Sequence, residues 1–343
     1  MSLSQFVGLP DTFGFLIGFT KVLQPFLFMI IVAFIFYKFS TKADILIIWI
    51  ISSIIFAALF AYLTIEQINI EADIVRFGGG PSGSPTMWAA NCATWAIAGL
   101  AGYFIFEQRT RRLLSGVGFI LLGLIVVYTQ TRGPLLYLCF GVGIFVILFS
   151  FKEKGSAILM SMVIALAVLG AFDYVKAVIG LRGIPSISEM TSDPTFVGRI
   201  MRNEEALSLF FQHPFVGTPI GYPMSGAPGS PSYEVYFYIY NTPLAWATYG
   251  GIMCGLSFCI INAAIFFRGI KFAFKTVGPR KDIALLRNTT LGLLAALFCW
   301  FIDFFTTANN LLWGHPFTSV IYYYIILGAL VGIDKRLEDS QNA

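Results

Sequence analysis

An arginine interrupts two apolar stretches in "VVYTQTRGPLLYLCFG", residues 126–141. Arg132 is followed at once by Gly133 and Pro134, so the sequence predicts a backbone break there rather than one continuous lipid-exposed helix. A lone arginine at a helix end can simply extend to lipid headgroups. An ionisable residue at broken backbone within a membrane is instead a functional candidate, and a planar guanidinium can bind phosphate through two hydrogen bonds. Arg132 is therefore a candidate phosphate ligand.

Two further arginines, Arg199 and Arg202, lie three residues apart and share one face of a predicted helix. Glu204 and Glu205 are close in sequence, so a solvated helix with local ion pairs is an equally good interpretation of this pair alone. Arg76 lies in a connection that we predict on the same side of the membrane. These cations together predict a site for an anionic ligand that enters from the bilayer. A lipid-linked diphosphate fits that description.

The composition is that of a membrane protein. Hydrophobic residues make up 57% of the 343 residues and charged residues only 12%, with a mean hydropathy of +0.79. A soluble domain of this length cannot bury so much apolar surface. The start, "MSLSQFVGLPDTFG", lacks the basic segment, apolar core and cleavage site of a signal peptide. We therefore predict a single integral membrane domain over residues 1–343.

Stretches of about 20 apolar residues, the length of a membrane-spanning helix, recur along the chain. We predict an all-α polytopic fold with about nine transmembrane helices. The predicted spans are residues 13–37, 45–64, 86–106, 113–130, 134–150, 156–172, 245–267, 289–308 and 316–333.

Lys and Arg residues cluster at every second connection between the predicted spans. The clusters lie at residues 38–42, 109–112, 152–154, 268–287 and 335–336. The positive-inside rule places them in the cytoplasm, which puts the C-terminus inside and, with nine spans, the N-terminus outside. Six cations on the opposite face do not follow this rule, which indicates a function for them: Arg76, Arg132, Lys176, Arg182, Arg199 and Arg202.

One outer connection, residues 173–244, is too long for a passive link in a compact bundle. It contains "FVGRIMRNEEALSLFFQ", a predicted helix that opens at Asp193 and Pro194. A stretch rich in Gly, Pro and Ser follows and predicts irregular backbone. The aromatic run "YEVYFYIYN" comes next, and its tyrosines either stack on sugar rings or form an interfacial belt. We predict a large outer loop that contains short helices.

Nothing in the sequence points to a metal or a disulfide. The five cysteines lie in or beside apolar segments, and none forms a CxxC pair. We interpret them as small apolar helix residues. His213 and His315 are the two histidines, and we interpret the first as a loop residue and the second as a helix-boundary residue. The sequence predicts no metal and no cofactor.

Four segments resemble the O-antigen ligase and O-antigen polymerase superfamily, in the family's order. "RFGGGPSGSPTMWAANCATWAIAGL" resembles its early arginine, glycines and long helix, and "TQTRGPLLYL" resembles its Thr/Ser-Arg-Gly motif. "VGRIMRNEEALSLFFQHPFVGTPIGYP" resembles its Gly-Arg pair, amphipathic helix and His-Pro motif. "YNTPLAWATYGGIMCG" resembles its segment of His-Asn, a leucine and a closing Gly-Ile. Together the four cover about residues 70–260.

The resemblance implies an enzyme of bacterial lipopolysaccharide or other surface-polysaccharide biosynthesis. Proteins of this superfamily transfer a glycan from undecaprenyl diphosphate to an acceptor hydroxyl at the periplasmic face of the inner membrane, without a nucleotide sugar or a metal. Residues 173–244 would then be a periplasmic loop. The family's motif arginines match Arg132 and Arg199, which would hold the diphosphate, and Arg76 matches more loosely. The implied partners are the lipid-linked glycan donor, a glycan or lipid A-core acceptor and membrane lipids, with no nucleic acid.

At one position the chain departs from the family's pattern. Ligases of the family carry a functional histidine before the asparagine, whereas here Tyr240 precedes Asn241. A phenol with the ordinary pKa of about 10 is a poor base near neutral pH, although it can hydrogen-bond the acceptor or a phosphate oxygen. Glu234 is a nearby carboxylate that can act as the base instead. Tyr240 and Glu234 are candidate catalytic residues, and Asn241, Arg76 and Arg202 are candidate substrate ligands.

Three functions remain open. A ligase and a polymerase differ only in the acceptor, which is the lipid A core for one and another lipid-linked repeat for the other. The missing histidine slightly favours a polymerase. A flippase or transporter of an anionic lipid-linked glycan would be expected to show an inverted repeat with paired broken helices. No such repeat is evident, although Asp303 in "CWFIDFFTTANN" is a candidate midplane charge. The sequence favours a transferase.

Overall fold

The computed structural model describes residues 27–38, 68–71, 74–77, 85–106, 108–128, 132–150, 194–218, 239, 241–274, 281–306 and 318–342. These residues fall into two compact units. The smaller unit takes its described residues from Pro185–Ala264 and Phe304–Phe317. The larger unit takes its described residues from Leu27–Ile184, Ile265–Asp303 and Thr318–Ala343.

Eight helices and one β-hairpin make up the described part of the chain. The helices are α1 (Leu27–Lys38), α2 (Pro85–Ile105), α3 (Arg109–Tyr128), α4 (Arg132–Ser150), α5 (Pro194–Gln212), α6 (Thr242–Ala273), α7 (Lys281–Thr306) and α8 (Thr318–Asn342). The hairpin pairs β1 (Ile68–Glu71) with β2 (Ile74–Phe77) in antiparallel register, with Asn69 opposite Arg76. The predicted helical fold is thus confirmed for the helices, and the hairpin is an element that the sequence did not predict.

Helix α2 forms the buried centre of the larger unit. Every residue from Ala89 to Gly102 is buried, and many of them are alanine or glycine. Small residues allow helix backbones to approach closely. A Cβ atom on Gly99 would lie 3.0 Å from the backbone nitrogen of Phe119 in α3, and one on Gly292 of α7 would lie 2.5 Å from the Cβ of Ala101. α3 and α7 therefore pack directly on the backbone of α2.

Helices α4 and α7 meet against α2 at Ile97. A Cβ atom on Gly141 of α4 would contact Ile97 at 3.0 Å and would also overlap the sulfur of Cys299 in α7. The thiol of Cys299 donates to the carbonyl oxygen of Tyr137 at 3.2 Å. The cysteine is therefore used for packing, as expected for a small helix residue in an apolar segment.

Helices α1 and α8 form a second close contact through a Gly-xxx-Gly pair. A Cβ atom on Gly328 would lie 2.5 Å from the carbonyl oxygen of Met29, and one on Gly332 would overlap the carbonyl oxygen of Ala33. The hydroxyl of Tyr37 donates to Asp339 Oδ2 at 2.7 Å, beyond this contact. Paired small residues one turn apart are a common way for membrane helices to associate.

Within the described part of the chain, two helices are long and apolar enough to cross a membrane, by length and composition. They are Arg109–Val127 within α3 and Thr242–Lys271 within α6, and shorter apolar stretches lie in α1, α4 and α7. The predicted spans at 45–64 and 156–172 lie outside the described residues, and each of the other predicted spans overlaps a helix. The count of nine spans, the single domain and the periplasmic side of the 173–244 loop stay predictions.

The helix predicted inside residues 173–244 is confirmed. α5 begins at Pro194, directly after Asp193, and ends at Gln212. Proline suits the first turn of a helix because its fixed φ is already helical and its missing N–H would have no helical partner there. α5 and the first half of α6 make up most of the described smaller unit.

Candidate functional site

The smaller unit is held together by a small apolar core between α5 and α6. Ala206 of α5 packs with Ile239, Ala245 and Tyr249, and all four are buried. Leu209, Leu244 and Trp246 pack around them and are partly buried. The core fixes α5 against the first turns of α6, where the family motifs of the sequence lie.

Helix α6 is broken at Gly251, and a loop fills the break. Gly251 has φ 76° and ψ 177°, which are not helical. In an unbroken helix the amide of Ile252 would donate to the carbonyl of Thr248. Here the amide of Ile252 donates to Pro214 O at 2.7 Å, and Thr248 O accepts from the amide of Thr218 at 2.7 Å. The loop therefore supplies partners for these two backbone groups, which the break separates from each other.

Two glycines allow this close approach. Gly217 has φ 75°, and a Cβ atom on it would lie 2.5 Å from the backbone carbon of Tyr249. A Cβ atom on Gly251 would overlap the carbonyl oxygen of Phe215. We call this arrangement of the Pro214–Thr218 loop on Thr248, Gly251 and Ile252 the loop–helix contact. It brings the His-Pro motif against the Gly-Ile motif.

Thr248 links three segments at this contact. Its side chain is fully buried, and its hydroxyl donates to the carbonyl oxygen of Ala206 at 3.2 Å. Its own carbonyl oxygen accepts a second bond, from the hydroxyl of Thr218 at 3.0 Å. Thr248 therefore fixes α5 and the loop to the same turn of α6.

The hydrogen bond between Ala206 and Thr248 joins α5 to the first half of α6. Arg199 lies about two helical turns before Ala206, and Asn241 lies about two turns before Thr248. Each of the two residues is therefore about 10 Å from this hydrogen bond along its own helix.

The two arginines of α5 have different environments. Arg199 shares the face of Ala206, which packs on α6, because seven residues are close to two full turns. Arg199 is half-buried and its Nε atom is buried, whereas Arg202 is exposed. The solvated face of the alternative interpretation agrees better with the exposure of Arg202 than with that of Arg199.

Asn241 is the N-cap of α6. Its Oδ1 accepts from the amide of Leu244 at 3.0 Å, and its backbone oxygen accepts from the amide of Ala245 at 2.9 Å. Asparagine is among the best N-cap residues because it satisfies an amide that has no helical partner. Asn241 thus has a structural role that the sequence did not predict, and its amide Nδ2 is the group with which it could meet a substrate.

The two candidate bases lie outside the described residues. Both neighbours of Tyr240 in the sequence are described. Ile239 is fully buried in the core, and Asn241 caps α6.

In the larger unit, Arg132 is the first residue of α4. The helix continues through Gly133 and Pro134, so these residues are helical and are not the backbone break that the sequence predicted there. The start of a helix carries partial positive charge from its free amides. The side chains of Arg132 and of Arg76, which lies in β2, are outside the described part. Among the residues that the structure describes, no three His, Cys, Asp or Glu side chains are grouped closely enough to hold a metal ion.

The stretch from α3 to the middle of α6 is shared with a known family. Residues 117–259 match the O-antigen ligase family. This match confirms the resemblance to the O-antigen ligase and polymerase superfamily. No curated protein matches the chain.

The O-antigen ligase match contains most of the predicted site. Arg132, Arg199, Arg202 and Asn241 lie within residues 117–259, together with the whole loop–helix contact. Arg76 and its hairpin precede the matched residues. Sequence reasoning missed Thr248 and the break at Gly251, although two adjacent glycines in an apolar stretch were a signal for the break. Thr248 gave no signal, because a threonine in an apolar helix commonly bonds to its own helix.

Proposed function

We propose that this chain transfers a glycan from undecaprenyl diphosphate to an acceptor hydroxyl at the periplasmic face of the inner membrane. The match to the O-antigen ligase family supports the reaction class. The observation that carries the proposal is the position of Arg199, half-buried on the face of α5 that packs on α6. A half-buried guanidinium is less screened by water than an exposed one and favours an anionic ligand.

In the proposed reaction the bond between the anomeric carbon and the diphosphate oxygen breaks as the acceptor oxygen attacks. The anomeric carbon develops positive charge, the diphosphate leaves with the bonding electron pair, and the acceptor hydroxyl loses its proton. One direct displacement inverts the anomeric configuration. Fixed arginines stabilise the growing negative charge on the leaving group because they need little reorganisation.

Arg132 and Arg199 are the proposed ligands of the diphosphate. An arginine retains its charge and can bind two phosphate oxygens at once. Arg202 and Arg76 are proposed secondary contacts to the donor, and the amide of Asn241 is a proposed contact to the donor or the acceptor. The proposed reaction uses only side chains of this chain and needs no metal or organic cofactor.

We expect Tyr240→Phe to slow glycan transfer by roughly 5- to 150-fold. In the proposal the phenol orients the acceptor by a hydrogen bond, and a lost hydrogen bond costs about 1–3 kcal/mol. The measurement is product formation from purified undecaprenyl-diphosphate-linked donor in nanodiscs. Glu234→Gln is the paired variant, because loss of a general base costs roughly 10²–10⁴-fold. If Tyr240→Phe kept normal transfer activity and Glu234→Gln were inactive, the base would be the carboxylate of Glu234 instead.

The acceptor decides between polymerase and ligase. We propose polymerase as the first candidate, because the family histidine of ligases is replaced by Tyr240. The same donor assay with a second lipid-linked repeat as acceptor, and separately with a lipid A core, distinguishes the two. Elongation of the repeat with no transfer to the core identifies a polymerase, and the reverse result identifies a ligase.

A cysteine at Ser225 should react with an impermeant thiol reagent in cells whose inner membrane is intact. Ser225 lies in the polar part of the 173–244 loop, which we place in the periplasm because the basic clusters at 109–112 and 268–287 are predicted to be cytoplasmic. The background is a variant without the five native cysteines. Glu338→Cys, exposed near the end of α8, is the control and should react only after the membrane is opened. The opposite labelling pattern would reverse the orientation and remove the periplasmic site.

A further inference from the structure

Helix α5 carries an exposed apolar face opposite the face that packs on α6. The exposed residues are Val197, Ile200, Met201, Leu207 and Phe211, with 38%, 44%, 63%, 43% and 69% of their surface exposed. Their spacing places them on one side of the helix. A face of this size is unusual on a surface that meets only water.

The apolar face continues onto the membrane-spanning part of α6. Phe215, within the loop–helix contact, is 79% exposed, and Val216 is 47% exposed. The amide of Ile252 bonds to Pro214, so this loop lies beside the turn of α6 that carries Met253, which is 68% exposed. The apolar surface therefore runs from α5 through Phe215 to the exposed side of α6.

The length of α6 gives the depth of this surface in a membrane. The candidate span of α6 ends at Lys271, with Arg268 close to that end. The part of α6 between the break at Gly251 and Lys271 is about as long as the ~20 residues that cross the hydrocarbon core. The break and the loop beside it thus lie near one boundary of the hydrocarbon, and α5 lies at that level because Ala206 contacts Thr248.

We propose that the apolar face of α5, continued by Phe215, rests among the acyl chains at the edge of the lipid leaflet next to the Thr242 end of α6. Glu204 is exposed on the same face, which limits the depth to the boundary between headgroups and acyl chains. The opposite face, which carries Arg199, is then turned towards α6. The proposal concerns the membrane and does not require the chain to transfer glycans.

The test is spin labelling of single cysteines in a variant without the native cysteines, in nanodiscs of three parts phosphatidylethanolamine and one part phosphatidylglycerol. Labels at Phe211 and Phe215 should collide often with oxygen and rarely with a water-soluble nickel chelate, as a label at Met253 should. A label at Arg202, exposed on the other side of α5, should collide with nickel at least several times more often. Two positions, Phe211 and Phe215, are labelled so that the result does not depend on one substitution that disturbs the structure locally.

Three results would overturn the proposal. Labels at Phe211 and Phe215 that collide with nickel as often as Arg202 would place the face in water. Labels shielded from both oxygen and nickel would place a protein surface on it, either a second copy or another partner. If a label at Met253 also collided often with the nickel chelate, the break would not lie at the hydrocarbon boundary. None of these results depends on the donor or the acceptor, so the proposed reaction is tested separately.

Discussion

Replacing Arg199 with alanine is expected to abolish glycan transfer while the protein still folds and inserts. Arg199 is proposed to stabilise the charge that develops on the leaving diphosphate, and loss of one such group costs roughly 10²–10³-fold in rate. Arg132→Ala should have an effect of the same size. Arg199→Lys should also be strongly impaired, because a point charge cannot replace a two-pronged contact. The measurement is single-turnover product formation from the purified undecaprenyl-diphosphate donor, at equal amounts of folded enzyme.

Arg202→Ala is the matched control for Arg199. It removes the same charge from the same helix, three residues away, but from an exposed position. Exposed charges interact weakly because solvent screens them, so the loss should be roughly tenfold at most. Equal losses at both positions would indicate a general effect of charge rather than a site at Arg199. Near-normal activity of Arg199→Ala and Arg132→Ala would refute the diphosphate site.

Gly251→Ala is expected to destabilise the smaller unit so strongly that little folded protein is recovered. An alanine is strained at φ 76°, and its Cβ would overlap the carbonyl oxygen of Phe215. Backbone strain and overpacking each cost about 1–3 kcal/mol, and the loop must move away to relieve them. That displacement leaves Thr248 O and the amide of Ile252 without their partners. The measurement is the fraction of monodisperse protein that remains in detergent after a series of heating steps.

Gly198→Ala is the control for Gly251→Ala. A Cβ atom on Gly198 would meet nothing within 4 Å, and alanine is favoured over glycine within a helix. This variant should therefore keep or slightly raise the melting temperature. If both variants had the same melting temperature as the parent protein, the loop–helix contact would not contribute to the stability of the fold.

The sequence predicted the helices well because long apolar stretches have few alternatives to a helix in lipid. It also predicted the start of α5 at Asp193 and Pro194, because cap residues act locally. The β-hairpin at 68–77 was not predicted, since its strands are only four residues long and carry no clear alternation. The spans at 45–64 and 156–172 remain predictions from composition alone.

The site was predicted less completely because its contacts join residues far apart in the sequence. Motif spacing singled out Arg199 and Asn241, but it could not show that Ala206 and Thr248 join the two helices that carry them. The cap formed by Asn241 follows from Leu244 and Ala245, which carry no signal of their own. The break at Gly251 depends on Pro214 and Thr218, and no local pattern in α6 reports that the loop supplies the missing hydrogen bonds.

The break at Gly251 bends α6, and this bend has a consequence for how the protein is made. Pro214 and Thr218 leave the ribosome before Thr248 and Ile252, so the partners of the bend are synthesised before the helix that bends. A peptide of residues 242–273 alone in a bilayer lacks those partners. An open bend would leave an amide and a carbonyl without hydrogen bonds in lipid, at a cost of several kcal/mol, so the peptide should form a straight, unbroken helix. We therefore expect α6 to acquire the bend only when it packs against this earlier part of the chain.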